Sequence, residues 1–200
     1  MSDVGRLEPM TATTTPARIT THIHKLCRRL GLGWKPQFVP VLERNDSGFR
    51  DCFNDVQRHI AENGGSIVYG WLLWEWPGIL VEAEFHAVWQ SPEGELLDVS
   101  EKPCGETTVL FIKDPTRVFS GRRVDNVRLA VGKDPRISEL ISGHEHFNHL
   151  LQQRHGDEVG EIHLDEELSL LAQALAVLAN QLNAEAEQTS TQSFPSRGLR

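Results

Sequence analysis

Apolar and polar residues alternate along the middle of the chain, and this pattern predicts β-strands. Between positions 79 and 89 the odd positions are apolar and the even positions include His86, which predicts a half-buried strand with one polar face. A turn sequence at 91–94 follows, and a partner strand is predicted at 95–100. Two further strands predicted at 107–113 and 124–131 extend an antiparallel sheet. The segment 36–42 is predicted to be a short edge strand or an extended loop.

Apolar residues recur at helical spacing in four other segments, at 20–30, 49–62, 134–154 and 165–182. The second segment has Phe49, Phe53, Val56 and Ile60 on one face, as expected of a helix that packs on a core. The last two predict a helical hairpin that packs either on the sheet or, in a homodimer, on a second copy of the chain. The predicted fold class is α+β, with an antiparallel sheet, an N-terminal helix at 49–62 and a C-terminal helical hairpin.

Both ends of the chain lack apolar periodicity. Residues 1–18 are rich in Thr, Pro and Ala, and the composition turns polar from Asn183 onward. The segments 1–18 and 183–200 are therefore predicted to be flexible tails. A single domain is expected at 19–182, with its core at 49–131 and the helical hairpin at 134–182.

Charge and composition exclude several classes of function. The 200 residues carry a net charge of −8, and no basic cluster is longer than Arg28-Arg29 or Arg122-Arg123, so nucleic acid is not expected as a partner. No apolar run approaches the roughly 18–20 residues that span a bilayer, and the N-terminus lacks the apolar core of a signal peptide, so a cytoplasmic protein with no membrane partner is expected. Three widely spaced cysteines without a CxxC pair indicate reduced thiols, and no cofactor is implied.

One of these cysteines, Cys52, lies in the first turn of the predicted helix, about 100° around its axis from Phe53. The positive end of the helix dipole favours a thiolate at such a position, although a small buried side chain is the commoner role of a cysteine. An odd number of residues between the strands at 79–89 and 95–100 puts His86 and Asp98 on the same face of the sheet. An even number of loop residues puts them on opposite faces, so their contact depends on the register of the two strands.

The order of Cys52, the stretch 84–89 around His86 and the stretch 94–99 around Asp98 resembles the core of the transglutaminase-like and papain-like cysteine enzymes. The resemblance implies that Cys52 is the nucleophile, His86 the general base and Asp98 the group that orients the imidazole. It implies a thiol-dependent amide hydrolase or acyl transferase, such as a protease, a glutamine deamidase or a transglutaminase, that acts on a protein or peptide. Candidates for the oxyanion hole, beside the backbone N–H of Cys52, are Gln37 and Asn45.

Other readings of the sequence stay open. Three tryptophans, Trp71, Trp74 and Trp76, are candidates for the walls of a substrate cleft, but aromatic residues at alternating positions are more often packed in a core or on a sheet face. His146 and His149 are weak candidates for a metal site shared across a dimer, because His144 faces the opposite side of the predicted helix and three histidines cannot converge on one ion. The alternative to an enzyme is an inert α+β module that binds a protein or peptide in the groove between helix and sheet.

Overall fold

In a computed structural model, residues 13–42, 52–102, 105–156 and 162–192 are described. Within these ranges the protein is an α+β fold, in which an antiparallel, nearly barrel-shaped sheet is combined with four helices. The fold class and the C-terminal helical pair agree with the sequence prediction. The elements are α1 (Thr21–Arg29), β1 (Gln37–Pro40), α2 (Cys52–Asn63), β2 (Ser66–Trp76), β3 (Leu80–Gln90), β4 (Leu96–Leu97), β5 (Thr108–Lys113), β6 (Val127–Ala130), α3 (Pro135–His155) and α4 (Glu166–Gln192).

A long hairpin of β2 and β3 forms the centre of the sheet, with Ser66 paired to Gln90 at one end and Trp76 paired to Leu80 at the other. The sheet order is β1-β5-β2-β3-β4, and β6 pairs with the end of β3. Beyond β4, Asp98 forms a parallel bridge with Val41, which directly follows β1. This bridge joins the two edges of the sheet, β1 and the continuation of β4. It also explains why β4 is shorter than the predicted strand, since the continuation of β4 pairs with a different neighbour.

The inner face of the curved sheet holds a small apolar cluster, and Gly70 on β2 is required for its packing. A Cβ atom on Gly70 would lie 2.2 Å from the carbonyl oxygen of Ile112 and 2.4 Å from Cζ of Phe111. Such distances are far below van der Waals contact, so only glycine lets the Phe111 ring approach the β2 backbone. Gly70 is paired with His86 of β3. The buried members of the cluster are Val39, Leu72, Trp74, Val88, Val109 and Phe111.

Helices α1 and α2 cover the outer face of the sheet. The buried residues of α1, including Ile23 and Leu26, pack against Trp71. In α2, Val56 packs against Ala87. These contacts follow the predicted helical stripes, although Phe49 and the other residues before Cys52 in that segment lie outside the described residues.

Helices α3 and α4 pack together and cover the end of the β2–β3 hairpin around Trp76 and Leu80. The predicted end of the last helix is wrong, because α4 continues to Gln192 instead of fraying from Asn183. Asn183 accepts a hydrogen bond from the indole N–H of Trp76, and Glu185 pairs with Arg136 of α3. These polar contacts hold a part of the helix that has no apolar stripe.

The prediction of a flexible tail at 1–18 is wrong for Thr14 and Thr15, and residues 1–12 lie outside the described residues. Thr14 exchanges two backbone hydrogen bonds with Glu75, at 2.9 Å each, and the Thr15 hydroxyl donates to the carbonyl oxygen of Thr108. Thr14 and Thr15 therefore lie against the sheet through hydrogen bonds, and such contacts leave no apolar periodicity in the sequence. Among the described residues, no helix combines the length and the apolar character that crossing a membrane requires.

Candidate active site

The connection between β3 and β4 determines which side chains meet at the site. Its flanking pair is Gln90 and Leu96, so five residues form the loop, and the predicted odd count is confirmed. The Ser91 hydroxyl accepts hydrogen bonds from the backbone N–H groups of Glu93 and Glu95, both at 3.2 Å, and Gly94 adopts a φ of 95°. These contacts fix the register. Continued beyond Leu97, the register brings Asp98 one diagonal away from His86, on the same face of the sheet.

His86 and Asp98 form a buried hydrogen-bonded pair. Nε2 of His86 lies 3.0 Å from Oδ2 of Asp98, and the two residues are 4% and 0% exposed. Oδ1 of Asp98 accepts hydrogen bonds from the backbone N–H and the hydroxyl of Ser100, at 3.0 and 2.7 Å. Oδ2 also contacts Nζ of Lys102 at 2.8 Å. The carboxylate is thus held by four donors, and the predicted contact between His86 and Asp98 is present.

The charges around the pair favour an imidazolium next to a carboxylate. Burial by itself lowers the pKa of His86, but charge interactions with Cys52 and Asp98 outweigh it and raise the pKa to about 10. Burial likewise raises the pKa of Asp98, while the charge and hydrogen bond of His86, followed by those of Lys102, bring it well below its usual range. Each partner therefore stabilises the charged form of the other.

Cys52 is the first described residue of α2, and its side chain is partly exposed. Its sulfur is close enough for a thiolate charge there to raise the pKa of His86. Since Nε2 of His86 is engaged with Asp98, Nδ1 is the ring nitrogen that is not bonded to the carboxylate. Cys27 is instead buried where α1 contacts the sheet, and burial raises its pKa to about 11. Cys104 lies outside the described residues.

Ser100 also carries a hydroxyl group near His86, with Oγ 3.4 Å from Nε2. It faces the ring nitrogen that already bonds to Asp98, and it donates its own proton to Oδ1 of that carboxylate. A serine activated by a histidine must instead face the nitrogen that is free to accept its proton. Ser100 therefore supports the carboxylate and is not arranged as a nucleophile.

Several residues predicted for the cleft do not meet at this site. The three tryptophans are buried in three different clusters, and their indole N–H groups donate to Asp114, Glu84 and Asn183. The cleft-wall hypothesis for Trp71, Trp74 and Trp76 is wrong, and the alternative of core packing is confirmed. Gln37 is exposed at the far end of β1, about 13 Å along the strand from the Val41 bridge at the usual rise per residue, so it is not near the pair. Asn45 lies outside the described residues.

Ser100 and Lys102 are the residues at this site that the sequence did not reveal. Their positions after Asp98 alternate with it, at i+2 and i+4, which is the only signal that they share its side of the chain. A lysine near a turn is ordinarily solvated, so nothing in the sequence predicts that the Lys102 side chain is only 4% exposed.

The histidines of α3 do not converge. His146 and His149 are exposed, and Nε2 of His149 is 2.9 Å from the side-chain nitrogen of Gln153. His144 faces the sheet, where burial and the charge of Arg128 lower its pKa to about 4. Within the described ranges, no group of three or more His, Cys, Asp or Glu side chains is arranged to hold a metal ion.

Comparisons with protein-family models, curated proteins and solved structures find no match to this chain.

Proposed function

We propose that the protein is a thiol-dependent amide hydrolase or acyl transferase in which Cys52 is the nucleophile, His86 the general base and Asp98 the group that orients the imidazole. The observation that carries the proposal is the buried contact of 3.0 Å between His86 and Asp98, combined with the electrostatic coupling of His86 to Cys52. The resemblance of the Cys52, His86 and Asp98 stretches to transglutaminase-like and papain-like enzymes points to the same chemistry.

In the proposed reaction Nδ1 of His86 takes the proton of Cys52, and the thiolate sulfur attacks the carbonyl carbon of an amide. A C–S bond forms as the carbonyl π electrons move to oxygen. When the tetrahedral intermediate collapses, the C–N bond breaks and His86 gives its proton to the leaving nitrogen. The resulting thioester is cleaved by water in a hydrolase, or by an amine in a transferase. The substrate class is the peptide bond or glutamine side chain of a protein or peptide.

The proposal is tested by measuring the reactivity of each thiol. The full chain is treated with iodoacetamide between about pH 5 and 9, and peptide mapping gives the rate at each cysteine. Cys52 is expected to react at about pH 6 at least ten times faster than Cys27, because Cys52 is partly exposed and electrostatically coupled to His86, whereas burial raises the pKa of Cys27. Cys27 is an internal reference within the same molecule.

Two variants sharpen this test. His86→Gln is expected to reduce the rate at Cys52 at about pH 6 by at least tenfold, since the thiolate loses its positive partner. His146→Gln changes an exposed histidine of α3 and is expected to leave the rate unchanged. Equal, slow labelling of Cys52 and Cys27 in the unmodified protein would instead favour the inert binding module.

A further inference from the structure

Lys102 is a buried lysine at the centre of the site. Its Nζ lies 2.8 Å from Oδ2 of Asp98, the same oxygen that bonds to Nε2 of His86, and it donates to the Ser100 hydroxyl at 2.6 Å. Burying an ammonium group is costly unless it is paired and hydrogen-bonded, and both conditions are met here. The lysine is therefore built into the network rather than resting on its surface.

Sharing one carboxylate oxygen couples Lys102 to His86. Both nitrogens are within hydrogen-bond distance of Oδ2, so they lie within about 6 Å of each other, a separation at which two positive charges interact strongly in a buried site. The charge of Lys102 opposes the effect of Asp98 and works to lower the pKa of His86. Without Lys102, the negative charge of Asp98 would stabilise the His86 imidazolium with no opposing positive charge.

This opposition matters for the second half of the proposed reaction. The C–N bond can break efficiently only if the leaving nitrogen receives a proton, and that proton is on Nδ1 of His86 at this stage. An imidazolium held too tightly by Asp98 and by the thiolate is a weak acid. The positive charge of Lys102, which interacts with the same carboxylate, makes the His86 imidazolium a stronger acid.

We propose that Lys102 is a positioning residue that fixes the Asp98 carboxylate and, through it, keeps the His86 imidazolium acidic enough to protonate the leaving group. This inference deepens the proposed function and rests on it. Lys102 acts through Asp98 and is not assigned a contact with the substrate. Ser100 links the lysine to the second oxygen of the carboxylate, so that both oxygens are held.

The titration of His86 by NMR provides the test. The imidazole Cε1–H signal is followed against pH in a Cys52→Ser background, which removes the thiolate charge and so lowers the pKa of His86 into a range that is easier to measure. His86→Gln identifies the signal. In this background Lys102→Met is expected to raise the midpoint by about one to two pH units, as follows from removing a unit charge about 6 Å away at an effective dielectric constant of about 20.

Two further variants control for the change of side chain. Lys102→Arg keeps the positive charge and is expected to hold the midpoint within about 0.5 units of the unsubstituted lysine. Lys133→Met removes the charge of an exposed lysine and is expected to leave the midpoint unchanged. Should Lys102→Met fail to fold, Lys102→Gln replaces it, since this neutral side chain can still donate to Asp98, and the same upward shift is expected.

A midpoint that is the same in the lysine, methionine and glutamine forms would overturn the inference, because a lysine that only fills space leaves the titration in place. This readout does not depend on catalysis. A shifted midpoint without a reactive Cys52 would mean that the proposed enzyme fails while the coupling holds. A reactive Cys52 with an unshifted midpoint would mean the reverse.

Discussion

Replacing Asp98 with asparagine changes the charge of the most heavily hydrogen-bonded side chain at the site while keeping its size. The carboxylate has four donors, and Oδ2 receives two of them, from His86 and from Lys102. The asparagine side chain has an NH2 group in place of one carboxylate oxygen, and this group can only donate. His86 can adopt the tautomer that accepts from it. Lys102 has no lone pair while it is charged, so it loses its charged partner at the site and keeps the Ser100 hydroxyl.

The size of the effect follows from that orphaned ammonium. Removing one member of a buried ion pair typically costs about 3–5 kcal/mol, because the remaining charge stays desolvated. Turning the amide so that its oxygen faces Lys102 does not help, since the NH2 group then opposes the backbone N–H of Ser100. We therefore expect Asp98→Asn to lower the free energy of unfolding by about 3–5 kcal/mol and to abolish the reactivity of Cys52 at about pH 6.

The assay is urea unfolding at about pH 7, followed by the fluorescence of the buried tryptophans. Asp134→Asn is the matched control, because Asp134 is a partly exposed helix cap and Asn caps helices equally well, so little change in the free energy of unfolding is expected. The double variant Asp98→Asn with Lys102→Met removes the orphaned charge and is expected to regain about half of the lost stability or more, without regaining thiol reactivity. A single Asp98→Asn variant within about 1 kcal/mol of the parent would refute the argument.

Three other changes have equally definite expectations. Cys52→Ala removes any amide-cleaving or acyl-transfer activity and leaves the thermal unfolding midpoint nearly unchanged, because its side chain is partly exposed; activity in the folded variant would contradict this. Gly70→Ala costs about 1–3 kcal/mol in urea unfolding, whereas Gly33→Ala, with open space around its Cβ, costs less than about 1; equal losses would contradict the packing argument. The pKa of His144 is lower in the folded than in the unfolded chain, so protonation of the unfolded chain reduces the free energy of unfolding as the pH falls from about 6.5 to about 4. Over that range the free energy of unfolding of His144→Gln is expected to fall by about 1–3 kcal/mol less than that of the parent. Parallel pH profiles of the two proteins would contradict this.

The sequence predicts the meeting of His86 and Asp98 because strand alternation and an odd loop are both local properties. The turn residues determine the loop length, and the two-residue period then decides the face. Lys102 could not be predicted in the same way, because its burial depends on a carboxylate brought to it by the sheet. The large loss of stability expected for Asp98→Asn therefore follows from the structure and not from the sequence.

The predicted end of the last helix and the predicted end of the N-terminal tail were wrong for a related reason. Apolar periodicity reports the contacts of side chains with a core, and neither Thr14 nor Asn183 makes contacts of that kind. Thr14 is held through backbone hydrogen bonds to Glu75, and Asn183 through a side-chain hydrogen bond from Trp76. Both partners are distant in the sequence, so neither contact leaves a local pattern.

The bridge between Val41 and Asp98 has a consequence for the order in which the molecule folds. Asp98 donates its backbone N–H to Pro40 and accepts from Leu42, so the carboxylate is in place only when the two ends of the strand path have met. Contacts between residues roughly sixty positions apart form late, because the loop between them must close first. During synthesis, a chain of the proposed enzyme therefore has a thiol of ordinary reactivity until its sheet closes, and nearby proteins are exposed to the nucleophile only after folding is complete.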